Sequence, residues 1–121
     1  MDFGRLENEV LKPFWEKQTR IKYGHFNVPS KGISETIEVN NNGILIIEGV
    51  GLFRPELMKY FTFKIWVDVP LEVALARGKN RDRDENHNPT DECWDGIWKD
   101  NDVQYFDVFK PKESVDLIIQ N

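Results

Sequence analysis

Residues 43–51 read Gly-Ile-Leu-Ile-Ile-Glu-Gly-Val-Gly. Four consecutive apolar residues, apolar at every position and not at every second one, suit a strand buried on both faces, as in a parallel α/β sheet. The run ends at Glu48 and passes into small residues. A carboxylate at the carboxyl end of such a strand lies where open α/β sheets bind ligands. In nucleotide-handling folds that position serves Mg²⁺, directly or through water. The 121 residues contain no Gly-x-x-x-x-Gly-Lys-Ser/Thr phosphate loop. The pattern is that of a phosphotransferase scaffold without the part that grips a triphosphate.

A chain of 121 residues is enough for one domain with a modest core. Its 40% hydrophobic and 31% charged content suits a soluble globular protein. No apolar stretch approaches the roughly 20 residues that cross a bilayer, so no membrane partner is expected. The start, Met-Asp-Phe-Gly-Arg-Leu, lacks the layout of a signal peptide, and a cytoplasmic location is the expectation. The single Cys93 has no internal disulfide partner, which suits a reducing compartment, and it reads as structural. A formal charge of −5 disfavours nucleic acid. Within that sum, residues 77–83 read Arg-Gly-Lys-Asn-Arg-Asp-Arg, a basic cluster suited to a small anion such as a nucleotide phosphate.

Helical spacing of Leu6, Val10, Leu11 and Phe14 predicts a helix over 2–17, with Asp2 as its N-cap and a break near Pro13. Two short strands follow, near Ile21–Phe26 and Thr36–Val39, joined by a loop through Pro29 to Gly32. Asn40–Gly43 is a turn, and Ile44–Glu48 is the buried strand. Further along, the pattern predicts a short helix over Pro55–Tyr60, a strand over Lys64–Val69 and a helix starting at Pro70. A loop over 84–91, a helix over Cys93–Phe109 and a strand over Val115–Ile119 complete the series. The order gives an α/β architecture with a mainly parallel sheet, in one domain over residues 1–121.

Several segments together resemble the phosphoribulokinase/uridine kinase group of P-loop nucleoside kinases. They are Ile46-Ile-Glu-Gly-Val, Arg54-Pro-Glu-Leu, the run from Ile65 through Asp68, Arg77 and Gly78, Arg81-Asp-Arg, Ile97-Trp, Asn101-Asp, Tyr105-Phe, Pro111 and Val115-Asp-Leu-Ile. Asp2–Leu11 resembles the helix after that family's substrate-binding segment. Each motif is weak, whereas the ordered set is specific and covers nearly the whole chain. The resemblance implies a P-loop NTPase-like three-layer fold and transfer of the γ-phosphate of ATP to a nucleoside 5′-hydroxyl with Mg²⁺. The match is to the family's carboxyl-terminal two-thirds, lacking the first central strand, the phosphate loop and the acidic residue near the acceptor hydroxyl. A chain so composed is expected not to turn over ATP by itself.

The resemblance places Glu48 at the family's acidic strand end, as a catalytic and Mg²⁺-serving carboxylate; the plainer reading is a carboxylate capping a nearby turn. Arg77 and Arg81, four apart, share a helix face, and guanidinium groups bind phosphate oxygens bidentately. With Arg83 they match the family's lid arginines, which close over phosphates. The plainer reading is a solvated helix end paired with Asp82, Asp84 and Glu85. Tyr23, His25 and Phe26 fall where the family holds its nucleoside, and the alternative is an ordinary hairpin with a surface histidine. Asp68 reads as a cap for the following helix, and Trp94, Trp98, Tyr105 and Phe106 read as core. His and Cys show no zinc-ligand spacing, and no Gly-x-Ser-x-Gly elbow marks a hydrolase.

In the family's sheet the strand before the phosphate loop lies between the strands matched by 44–48 and 64–69. Without it these strands close up, accept a strand from another chain or a second copy, or leave the chain marginally stable. A non-catalytic binding module built on the kinase fold is the competing expectation.

Overall fold

The computed structural model describes residues 2–27 and 30–121. They divide into two units, Met1–Gly49 and Val50–Asn121. In the first unit Asp2 caps the opening helix as expected, its carboxylate accepting the Arg5 N–H at 3.0 Å. Helix α1 (Phe3–Arg5) widens into a π-helical stretch over Leu6–Leu11 and resumes as α2 (Lys12–Trp15). Pro13 has no N–H, and its ring crowds the carbonyl four residues back. The backbone opens just before it, and the Lys12 N–H reaches the Glu7 carbonyl five residues away. Leu11, only 2% exposed, anchors this helix in the unit's core together with Ile21 on the hairpin.

That hairpin is β1 (Arg20–Asn27) paired antiparallel with β2 (Gly32–Asn40). Tyr23 lies opposite Ile37 and His25 opposite Glu35. The register then slips, so that Phe26 faces Ile33 and Ser34 is the extra residue of a bulge. The strands are longer than the sequence predicts, because β2 also pairs at its turn end, Phe26 with Ile33 and Asn27 with Gly32; Arg20 and Lys22 pair with Glu38 at the other end. The predicted loop at Pro29 lies in part outside the described residues.

Ile44–Glu48 is not a strand. The segment has no regular structure, among the described residues no strand pairs with it, and Ile44 and Ile46 are 82% and 86% exposed. Its composition suits a doubly buried strand, yet a parallel strand exists only through partners distant in sequence, and none is present beside it. Nor do the described residues contain the expected three-layer parallel sheet.

The second unit is the α/β part. It runs α3 (Pro55–Met58), β3 (Ile65–Asp68), α4 (Leu71–Asn80), a second π-helical stretch (Arg81–Glu85), α5 (Asp91–Asp95), α6 (Ile97–Phe109), a 3₁₀ turn (Pro111–Ser114) and β4 (Leu117–Gln120). Strands β3 and β4 pair in parallel, Ile65 with Leu117 through Asp68 with Gln120. The helix predicted over Cys93–Phe109 is broken at Gly96, and α6 ends at Lys110, whose φ of 44° reverses the chain. Leu52, Leu57 and Tyr105 are buried, and Trp66 packs edge-on against Phe106 at 5.7 Å. Tyr105 ties α6 to the loop before α3, its hydroxyl accepting the Phe53 N–H at 3.0 Å. Burial pushes the Tyr105 hydroxyl above its ordinary pKa.

Asp68 does not cap α4. Pro70 occupies that position without a side-chain bond, while Asp68 pairs with Lys112 at 2.6 Å and accepts the Trp66 indole N–H at 3.1 Å. No helix among the described residues is long and apolar enough to cross a membrane.

Candidate functional site

Each unit carries one concentration of polar chemistry. In the first, Arg5 and Glu9 stand one turn apart on the amino-terminal helix and form a two-point pair. Arg5 Nε donates to Glu9 Oε1 at 2.7 Å and Nη2 donates to Oε2 at 2.8 Å. Both side chains also grip the middle of β1. Arg5 Nη2 donates to the Gly24 carbonyl at 2.8 Å, and the Gly24 N–H donates to Glu9 Oε2 at 2.9 Å. A Cβ at residue 24 would lie 2.6 Å from Arg5 Nη2 and 2.8 Å from Ile33 Cγ2, so a side chain there would push the guanidinium aside. The guanidinium, followed by the Gly24 N–H, holds the Glu9 carboxyl down to about 2.

This clamp lines an open groove of about 450 Å³, walled by Asp2, Leu6, Val10, Tyr23 and Phe26. Tyr23 and Phe26 therefore come together at one groove with the Arg5–Glu9 pair. Tyr23 is half-buried, and Phe26 is 53% exposed despite its size. His25 is not among the groove's walls. It faces outward, with Nδ1 3.5 Å from Glu35 Oε1 and from Ser34 Oγ. Glu48 belongs to the same unit and is exposed.

In the second unit the helix α4 runs directly into the π-helical stretch that carries Arg81, Asp82 and Arg83. The wider turn directs Asp82 inward, where it is 8% exposed. Its Oδ2 accepts from Thr90 Oγ1 at 2.7 Å and from the Trp94 indole N–H at 2.8 Å. Its Oδ1 accepts from Asn86 at 3.0 Å and more loosely from Arg81 at 3.3 Å. Thr90 first, then the Trp94 indole, holds the Asp82 carboxyl down to about 2. Trp94 packs against the buried Gly78, where a Cβ would meet ring carbons at 2.5 Å.

The arginines occupy the outside of this arrangement. Arg77 is exposed, and its side chain is in no ion pair among the described residues. Arg81 lies 5.9 Å from the centre of the Trp94 ring. Arg83 pairs with Asp91 at 3.1 Å, the residue after Thr90. The acidic partners are thus Asp82 and Asp91, whereas Asp84 and Glu85, also expected as partners, form no ion pair among the described residues. Trp94, expected in the core, instead belongs to this arginine-bearing segment.

Sequence reasoning missed Arg5, Glu9, Gly24 and Asp82. The first two carried the i,i+4 signal of a helix pair. A glycine inside an aromatic and β-branched strand is a sign of close approach. Asp82 sits between two arginines and reads as their counter-ion, with nothing local to show its inward turn.

The family model for the "Phosphoribulokinase / Uridine kinase family" matches residues 1–121. A uridine kinase of Proteus mirabilis (strain HI4320) is 32% identical over 88 residues, which are 71% of this chain and 41% of that protein. A solved structure described as a possible uridine kinase from Bacillus stearothermophilus superposes with a TM-score of 0.63 at 19% identity. It covers 98% of this chain and 54% of its own, and at that identity it speaks for the fold. The chain thus spans about two-fifths to half the length of these relatives. Taken with the mixed α/β structure, the match over its full length means that this chain belongs to the phosphoribulokinase/uridine kinase family.

Proposed function

We propose that these residues carry the acceptor-binding hairpin and the phosphate-facing lid of a uridine kinase-like nucleoside phosphotransferase of P-loop NTPase-like fold. The observation that carries this reading is the groove of the first unit. Two aromatic walls, Tyr23 and Phe26, stand beside a fixed polar floor made by Arg5 and Glu9. A nucleoside presents an aromatic base and a sugar rich in hydroxyls, and such a groove answers both. The carboxylate of Glu9 keeps acceptor capacity for a hydroxyl beyond its three bonds. His25, turned to Glu35 and Ser34 on the hairpin, takes no part in this groove.

ATP and Mg²⁺ are the family's co-substrate and metal, and the residues fit them unequally. The guanidinium groups of Arg77, Arg81 and Arg83 suit phosphate oxygens. Glu48 offers one carboxylate toward Mg²⁺, directly or through water. Among the described residues no three His, Cys, Asp or Glu side chains gather to hold a metal, and the sequence has no phosphate loop. What these residues supply toward a triphosphate is the arginine lid and one carboxylate, without a phosphate loop, and the 121-residue chain is proposed to bind acceptor without transferring phosphate.

Equilibrium binding of radiolabelled uridine to the chain tests this. Saturable binding, lost in Tyr23→Ala and kept in Arg77→Ala, is the expected result. Absence of binding at millimolar uridine would remove the proposal. A second reading, a non-catalytic module that pairs with a strand from a partner chain, is favoured by one observation: the unpaired, exposed segment Ile44–Glu48. A stable complex that masks this segment from proteolysis, together with no uridine binding, would select it.

A further inference from the structure

We propose that Asp82 is a positioning residue: it fixes the segment 81–91 so that Arg81, over Trp94, and Arg83, on Asp91, are held in place before a chain of phosphates arrives. This rests on the lid reading above and adds to it the residue that shapes the lid.

The argument starts from the backbone. A helix that continued as α past Asn80 would keep Arg77 and Arg81 on one face and carry residue 82 about 100° round the axis. The π-helical turn at Arg81–Glu85 alters that progression, and wide turns of this kind concentrate at functional sites. Asp82 ends up buried while the residues on both sides of it are exposed. Its two oxygens then collect donors from three places: Asn86 just past the turn, Thr90 before α5, and Trp94 within α5. Its own carbonyl accepts the Asn88 N–H at 2.8 Å. One side chain thereby closes the loop 86–90 onto the end of α4.

Each arginine depends on that closure. Arg81 rests over Trp94, whose indole N–H is held by Asp82. Arg83 is held by Asp91, adjacent to the Thr90 whose hydroxyl is held by Asp82. If Asp82 is removed, Trp94 and Thr90 lose their common acceptor, and the platforms under Arg81 and Arg83 are free to separate. Ordering flexible arginines at the moment of binding costs affinity, and holding them beforehand avoids that cost.

The proposal makes a prediction opposite in sign to simple electrostatics. Asp82→Asn removes a negative charge close to the arginines, so Coulomb attraction by itself would tighten an anion. Positioning requires the opposite, because the asparagine amide faces its nitrogen toward donors and the network opens.

The test is a calorimetric titration of the 121-residue chain with inorganic tripolyphosphate, in parallel with circular dichroism to confirm folding. Expected are binding by the wild-type chain and a loss of about tenfold or more in Asp82→Asn. Thr90→Ser keeps the hydroxyl donor and should bind like wild type, whereas Thr90→Val should weaken binding. This pair decides the matter if Asp82→Asn fails to fold. Wild-type binding with equal or tighter binding by Asp82→Asn overturns the positioning role and leaves phosphate binding by the arginines standing. Equal affinity of Thr90→Ser and Thr90→Val likewise overturns it. No binding of tripolyphosphate by the wild-type chain overturns phosphate binding by these arginines, and the positioning role falls with it.

Discussion

Gly78→Ala sets two effects of known size against each other. Glycine inside a helix is about 0.8–1.0 kcal/mol worse than alanine, so on propensity the substitution should stabilise α4. Packing says otherwise. A Cβ at residue 78 would lie 2.5 Å from two carbons of the Trp94 ring and 2.8 Å from a third. Carbon atoms pack at about 3.5–4.0 Å, so the ring must retreat by about 1 Å. The ring is also held on its other side, T-shaped against Trp98 at 4.8 Å and bonded through its N–H to Asp82 at 2.8 Å. Overpacking of this kind costs about 1–3 kcal/mol, which outweighs the propensity gain. The net expectation is a loss of about 0–2 kcal/mol, or several degrees in Tm for a chain of this size. Thermal unfolding followed by circular dichroism reads it, and a Trp94→Leu background supplies the control. Without the indole, Gly78→Ala should stabilise by about 1 kcal/mol. If Gly78→Ala raises Tm equally in both backgrounds, the close approach of Trp94 to α4 is refuted, and with it the basis for a preformed lid.

Other perturbations have equally definite outcomes. Tyr105→Phe deletes the acceptor of the Phe53 N–H and should destabilise by about 1–3 kcal/mol in urea unfolding; a change within error would mean that water replaces the hydroxyl. Glu9 has its pKa depressed from an ordinary 4.5 to about 2, so its stabilising contribution is fully present above about pH 4.5 and is lost as pH falls toward 2. Glu9→Gln should therefore flatten acid unfolding in that window, and an unchanged acid midpoint would count against the clamp. Gly24→Ala should displace the Arg5 guanidinium and weaken uridine binding more than it lowers Tm. Incubation of the chain with ATP, Mg²⁺ and uridine should yield no uridine monophosphate; turnover lost in Glu48→Gln would overturn the reading that these residues bind acceptor without transferring phosphate.

What was legible in the sequence was local. The Asp2 cap, the irregularity before Pro13, the helix starting at Pro70 and the strand over Lys64–Val69 depend on neighbours a few residues away, and the structure has the cap, a π-helical stretch ahead of Pro13, the helix from Leu71 and the strand over Ile65–Asp68. What failed was non-local. Ile44–Glu48 has the composition of a buried strand, but ladder partners, not composition, make a strand. Asp68 chose Lys112 over the helix start because the chain returns there through the turn after α6, a contact no local pattern announces. At the candidate site, Tyr23 and Phe26 were readable as aromatic residues on a hairpin, whereas the clamp beneath them needs the helix and the hairpin in register. Asp82 was hidden for a related reason. Its burial follows from a π-helical turn, and sequence periodicity assumes that a helix keeps one pitch.

The most direct test of an acceptor groove on the first unit is amide chemical-shift mapping of the isotope-labelled chain with uridine. The account predicts saturable shifts at Tyr23, Gly24 and Phe26 and along residues 3–11, with residues 50–121 unaffected. Shifts confined to residues 50–121, or none at millimolar uridine, would contradict it.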